Sequence, residues 1–347
     1  MKRIALKILL PIILFLLLSV PSFAVGEEYI DEFSDISGLS AEDVENIGAD
    51  AIIDEIIASL TRERGDIMAF SFFTLGSLLF LAVIGESFGG KSTVRWASCA
   101  VSVGIFMNSC KLFFGVCDTL ESLGEFFSAA TPVMCGITLA GGGVGSATAE
   151  ALGMGLAISF ISVICIPVLV PCVVVMLTVS SFSPISVSTE RALVRLRAAF
   201  LWGMGIVTAV FLATVSLQSV IATAKDGALM RTAKYSATGL IPIVGSAVSS
   251  SLSTLGAGLA YAKGIVGAGA VYTLFAIVIS PLLLLLIYRG ILSLAATFAE
   301  LVGIGEGRSP YATAAVCFDA ISAVYAISAV LFLFMVILFI KSGVAIA

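Results

Sequence analysis

The sequence predicts an all-α polytopic membrane protein, a helical bundle of about six to eight spans that includes short re-entrant or broken helices. Three observations carry this expectation. Hydrophobic residues make up 59% of the 347 residues and charged residues 12%, about half the charge share of an ordinary soluble domain. Several Leu/Ile/Val/Phe/Ala runs exceed the ~18 residues that a helix needs to cross ~30 Å of hydrocarbon. Those runs are unbroken, whereas a membrane β-barrel shows alternating segments of about ten residues.

The chain divides into three regions: residues 1–24, 25–66 and 67–347. Met1-Lys-Arg with Lys7 is a basic start, Ile8 to Val20 is apolar, and Pro21-Ser-Phe-Ala24 ends in small residues. This pattern is that of a secretory signal peptide cleaved after Ala24, with an uncleaved signal anchor as the alternative. Either way the next segment is expected on the outer face. Between Glu27 and Asp66 lie thirteen acids against Arg62 and Arg64, a charge of −11 in a chain of net −5. The remainder is therefore net positive, which suits a body held among anionic lipids. Ile52, Ile53, Ile56, Ile57 and Leu60 recur at helical spacing, so an amphipathic helix is expected over residues 50–60, with Asp43 or Asp50 as its cap. About forty residues bury too little to fold alone. The segment is a solvated spacer or docks onto the body.

Ile67 to Ile84 is the first mature span. In the stretch after it, Gly85, Gly90, Lys91 and Ser92 match G-x-x-x-x-G-K-[ST] letter for letter. A phosphate-cradling loop needs a buried strand before it and an α/β domain around it; here it joins two spans. Lys91 and Arg95 are better read as cytoplasmic topology charges. Trp96 to Val116 is a second span, with Lys111 placed to snorkel, and Asp118, Glu121 and Glu125 form an outer connection. Phe126 to Ala140 has only fifteen residues and contains Pro132, which predicts a re-entrant segment. After the glycine-rich break at 141–145, Ala151 to Phe182 contains Pro167 and Pro171 and is one kinked helix or a pair of short ones. Ser188 to Arg197 is basic and amphipathic, hence cytoplasmic. Ala198 to Ile221 then runs outward. Leu240–Val248 and Ser249–Gly264 are expected to be re-entrant or tightly packed helices rich in small residues. Ile265 to Tyr288 is a span ending at Arg289. Gly290 to Val302 is a short helix carrying Glu300, residues 303–310 form a hinge, and Asp319 starts the last span.

The residues offer little chemistry. There is no histidine, which removes the commonest general base and metal ligand. Seven cysteines lie in or beside apolar segments without a C-x-x-C and read as small hydrophobes. No catalytic, metal or cofactor site is predicted, and the chain is not expected to be an enzyme. Lys111, Glu150, Asp226, Glu300 and Asp319 are the ionisable groups in or near the spans. Such groups mark ion paths or serve structure; capping explains Asp226 and Asp319 structurally, and Glu300 and Asp319 are the candidate intramembrane ionisables. The most charged interruption is Lys225, Asp226, Arg231 and Lys234 within ten residues. These four residues are expected on the outer face as a vestibule lining, with Asp226 paired to one of the cations, or as a partner contact. Gly227 is read as a turn, residues 228–238 as a helix, and Pro242 as its stop.

The run Val215-Ser-Leu-Gln218, Lys225-Asp-Gly227, Arg231-Thr-Ala-Lys-Tyr235 and Ile241-Pro-Ile-Val-Gly245 resembles the signature region of the stage III sporulation protein AE family, polytopic membrane proteins of endospore-forming bacteria. The resemblance extends over the mature chain and is sharpest at 215–245. It implies a multi-pass protein of the mother-cell membrane around the forespore. It also implies a place in a secretion-like channel with the stage III AA-to-AH proteins, and with stage II sporulation protein Q across the intermembrane space. The role expected is conduit or assembly platform; a secondary transporter with a midplane site and a purely structural scaffold are the alternatives. The lipid bilayer is a partner, nucleic acid is not, and self-association is left open.

Overall fold

The computed structural model describes residues 27–88, 91–240, 245–303 and 310–342, all of them in helices or short turns. The predicted signal peptide lies outside the described residues, as does Pro242. Three short helices open the described chain: α1 (Glu27–Ser37), α2 (Ala41–Glu45) and α3 (Ala49–Arg62). Ser40 caps α2, and its hydroxyl and the Asp43 carboxylate each accept the other residue's backbone N–H in a capping box. Asp43 therefore serves α2, and α3 begins instead at Gly48 with no side-chain cap. These helices dock onto the body. Phe33 of α1 is 1% exposed and meets Phe126 edge-on at 6.3 Å. Two glycines make the dock: a methyl added at Gly269 would lie 2.7 Å from the Phe33 ring, and one at Gly136 would lie 2.9 Å from Tyr29. The amphipathic helix expected at 50–60 is present as α3, but Ile53 and Ile57 on it stay exposed. Docking is carried mainly by α1 and by Val44 of α2.

The body is built from α4 (Arg64–Phe88), α5 (Lys91–Ala140), α6 (Val144–Ser159), a π-helical turn (Phe160–Cys165), α7 (Ile166–Phe182), α8 (Val187–Leu240), α9 (Gly245–Leu301) and α10 (Pro310–Lys341). Six stretches are long and apolar enough to cross a membrane. Several expected breaks are absent. Phe126–Ala140 is not re-entrant: it continues the span at Trp96–Val116, through the acids at 118–125, as the single 50-residue α5 with Pro132 inside it. The arginine-rich segment at 188–197, the span after it and the charged stretch at 225–234 are one 54-residue helix, so Gly227 is helical and not a turn. Residues 245–301 are likewise one 57-residue helix, although re-entrant pieces, a span and a short terminal helix are expected there. The physical reason is common to all three. Charges and glycines lower hydropathy without breaking i→i−4 hydrogen bonds, and only a residue such as proline removes one. At 1.5 Å per residue, α5, α8 and α9 are each about 75–85 Å long, more than twice the ~30 Å hydrocarbon layer.

α6, the π turn and α7 together form the kinked run expected at 151–182. The π turn precedes Pro167 and Pro171, and a wide turn of this kind absorbs the ladder defects that prolines create.

α10 runs through the centre, packed on α5, α6, α7, α8 and α9. Its core is aromatic. Phe332 stacks on Phe127 at 4.3 Å, and Phe318 meets Phe70, Phe113 and Tyr288. Tyr311 is fully buried and shares a hydrogen bond with Ser77 at 2.9 Å, while Ser183 donates to Thr313 at 3.1 Å. These contacts bring the end of α7 and the start of α10 to one end of the bundle. Ser342, just past α10, meets α6 and α9 at the other. Helix direction then places Lys91, Arg95, Arg191 and Arg195 toward the first end and Lys225 toward the second.

Candidate functional site

Two polar layers cross the apolar bundle, one near each end. The layer near the C-terminal end of α10 is the more deeply buried. Glu150 of α6 and Lys263 of α9 approach to 3.8 Å, with side chains 10% and 4% exposed. Thr138 of α5 donates to one Glu150 oxygen at 2.8 Å, and the Ser342 hydroxyl donates to the other. The Lys263 ammonium donates to Thr138 at 3.2 Å, to the Ser342 carbonyl at 2.6 Å and to the Ser342 hydroxyl, and stands over the Phe339 ring at 4.8 Å. Every charge in this layer is thus paired and hydrogen-bonded, as a buried charge must be. A water-sized cavity beside it is lined by Cys135, Glu150, Met154 and Met335.

Asp226 extends the layer onto α8. It is 6% exposed, and its carboxylate accepts from the backbone N–H groups of Gly145 at 2.9 Å and Ser146 at 2.6 Å. These are free donors of the first turn of α6, where an anion meets both unsatisfied N–H groups and the positive end of the helix dipole. A side chain at 145 would collide with Asp226, since a methyl there would lie 2.8 Å from its oxygen. Lys263 does the mirror-image work at α10, where its ammonium meets the carbonyl of Ser342 beyond the last helical residue. So α8 and α9 each grip the end of a neighbouring helix with a charge of the right sign. Both continue past that grip: α8 runs on to Leu240, and α9 begins at Gly245, before Lys263.

The second layer is centred on Asp319 of α10. It accepts from Arg197 of α8 at 3.1 Å and pairs with Arg289 of α9. One carboxylate thus ties three long helices. At about the same height Lys111 pairs with Asp66 at 2.7 Å, in an exposed setting, and the Tyr288 hydroxyl donates to the Asp66 carbonyl at 3.2 Å.

The expected site residues separate on this frame. Asp226 faces inward as a cap on another helix, while Lys225 beside it is exposed. The side chains of Arg231 and Lys234 lie outside the described residues. Asp319 is paired, and Glu300 is exposed in the last turn of α9. Lys263 is the residue that sequence reasoning passed over. It stands in a run of Ala, Gly, Ser and Leu whose average stays apolar, and its partner is more than a hundred positions away. The available signal was a solitary lysine in such a run. All seven cysteines are free thiols. Among the described residues no cluster of acids and cysteines is arranged to hold a metal.

Comparison with known proteins places this geometry. The family model for stage III sporulation protein AE matches residues 32–343, from α1 to the residue after Ser342. No curated protein and no solved structure matches the chain.

Proposed function

From the premise that the chain belongs to the stage III sporulation protein AE family and is a multi-pass stage III sporulation membrane protein, we propose that it is the membrane platform of the sporulation channel joining mother cell and forespore. On this reading it sits in the mother-cell membrane, with its N-terminal helices and the α8–α9 connection toward the intermembrane space. There it meets the other stage III proteins and, across the space, stage II sporulation protein Q.

The observation that carries the platform reading is helix length. Three helices outrun a bilayer at least twofold, so part of the bundle stands clear of the lipid as a rigid support. Among the described residues the bundle interior is filled by packed aromatic rings and the buried Glu150–Lys263 layer, so any passage would run between chains and not through one.

The transporter alternative draws on one observation, the buried Glu150–Lys263 pair. The double variant E150Q/K263M separates the two readings. It removes both charges and keeps hydrogen bonding at 150. A platform carrying it supports sporulation and still co-isolates with its stage III partners. An ion-coupled transporter would lose sporulation while remaining assembled, and that outcome would sink the platform reading.

A further inference from the structure

We propose that this protein self-associates head to tail, with the end of α8 beyond the lipid stretch in one copy seated on the acidic flank formed by α1 and α2 in the next. The proposal deepens the platform reading, since a platform of several copies leaves the passage between them.

α8 is the least covered of the long helices. Its most apolar window is 11% buried, against 44% for α10. Trp202, Ile206, Val210, Leu217 and Ile221 recur along one exposed face. Lipid accounts for about twenty residues of such a face, the stretch from Trp202 to Ile221. On the platform reading, Arg191 and Arg195 before the stripe are charges of the cytoplasmic interface, where anionic lipid accounts for them; it does not account for Lys225, exposed after the stripe. α8 carries six cations in all, with Arg231 and Lys234 further along, against Glu190 and Asp226. Arg197 and Asp226 are already engaged inside the bundle.

The opposite charge lies elsewhere on the same molecule. α1 and α2 expose Asp31, Glu32, Asp35, Glu42, Asp43 and Glu45. α8 packs on α6, α7, α9 and α10, whereas α1 packs on α5 and α9. The two surfaces are therefore on different sides of the bundle, and one copy does not neutralise itself. They stand at matching height. Asp226, next to Lys225, caps α6, whose Glu150 meets Thr138 of α5; Tyr29 of α1 lies against Gly136, two residues before that threonine.

A second copy satisfies these conditions together. It brings an acidic surface to the height of Lys225, and it does so automatically because both copies sit at one depth in one bilayer. A contact between two different patches repeats in one direction, so copies add until the rotation closes a ring.

The test uses full-length chains carrying two different tags, co-expressed in a host that does not sporulate, so that its outcome is independent of the sporulation assay. The wild-type copies should co-purify from membranes in mild detergent. Reversal of Lys225, Arg231 and Lys234 to Glu in both tagged chains should lower co-purification about ten-fold, the scale of lost charge complementarity at an interface. A partner chain with Asp31, Glu32 and Asp35 changed to Lys should restore it in trans, which also shows that both variants fold. In a cysteine-free background, K225C in one chain and D35C in the other should cross-link between chains. Monomeric wild type, undiminished co-purification of the reversed chain, or rescue only when both reversals are in one chain would each overturn the proposal. If an acidic partner of another kind occupies α8, the first of these outcomes is the one observed.

Discussion

Replacing Lys263 by methionine removes the only cation of the buried layer and leaves its shape nearly unchanged. The cost follows from what the ammonium touches. It donates to Thr138 and to both oxygens of Ser342. Interhelical hydrogen bonds in membrane proteins average about 0.6 kcal/mol, so three of them come to about 2 kcal/mol. The larger effect is on Glu150, whose carboxylate is left buried without its counter-charge; breaking one side of a buried pair costs about 3–5 kcal/mol in all. E150Q/K263M should recover at least half of that loss, because a glutamine accepts from one of the Thr138 and Ser342 hydroxyls through its amide oxygen, donates to the other through its NH2, and carries no charge to strand. The assay is reversible unfolding of the purified protein in mixed micelles, with the two single variants and the double variant forming a cycle. A single variant within about 0.5 kcal/mol of wild type, or strictly additive losses in the cycle, would refute the pairing as a source of stability.

Asp226→Ala should release the first turn of α6 at a cost of about 1–2 kcal/mol, the scale of a lost N-cap with its charge; faster amide exchange at Gly145 and Ser146 is the direct readout. Gly269→Val should push the Phe33 ring out of its notch, so that limited trypsin cuts at Arg62 and Arg64 while the bundle stays resistant. The Ser40 hydroxyl and backbone N–H hold the Asp43 carboxyl below its ordinary value of 3.8. A depressed folded pKa gives α2 stability that is present at neutral pH and is lost as pH falls below about 4 through the folded value. Helicity of the N-terminal segment should drop in that window, and Ser40→Ala should remove the pH dependence. Asp319→Asn should leave Arg197 and Arg289 with a weakened shared partner, lowering the melting temperature more than Lys111→Ala does, because the Lys111–Asp66 pair is solvent-exposed.

Membrane class and helical content were legible because composition and run length dictate them: no other architecture satisfies backbone polar groups along apolar runs of this length. Helix boundaries were less legible. Hydropathy divides a chain where charge appears, and Asp118, Glu121 and Glu125 sit on an exposed face of a helix that never stops. The same error split α8 at Gly227 and α9 at Arg289. At 160–171 the expected irregularity takes the form of a π turn ahead of Pro167 and Pro171, whereas Pro132 and Pro281 lie inside continuous helices, so proline alone did not locate the breaks. In the polar layers, Asp226 and Asp319 were flagged, but their partners were not, since Gly145 and Arg289 are brought to them only by tertiary packing. The docking of α1 rests on Tyr29 and Phe33 filling notches at Gly136 and Gly269 respectively, and nothing in the local sequence of α1 shows where its socket lies.

The continuity of α8 has a mechanical consequence. A helix of 54 residues without an internal proline behaves as a stiff rod, and this one is pinned at two points, by Asp226 to the head of α6 and by Arg197 to Asp319. The portion beyond Asp226 is then the outer arm of a lever. A sideways load on that arm turns about the Asp226 pin and reappears, reversed in direction, at the Arg197–Asp319 contact on the far side of the lipid. With no joint between the pins, the two ends of the bundle share a single mechanical degree of freedom along this helix.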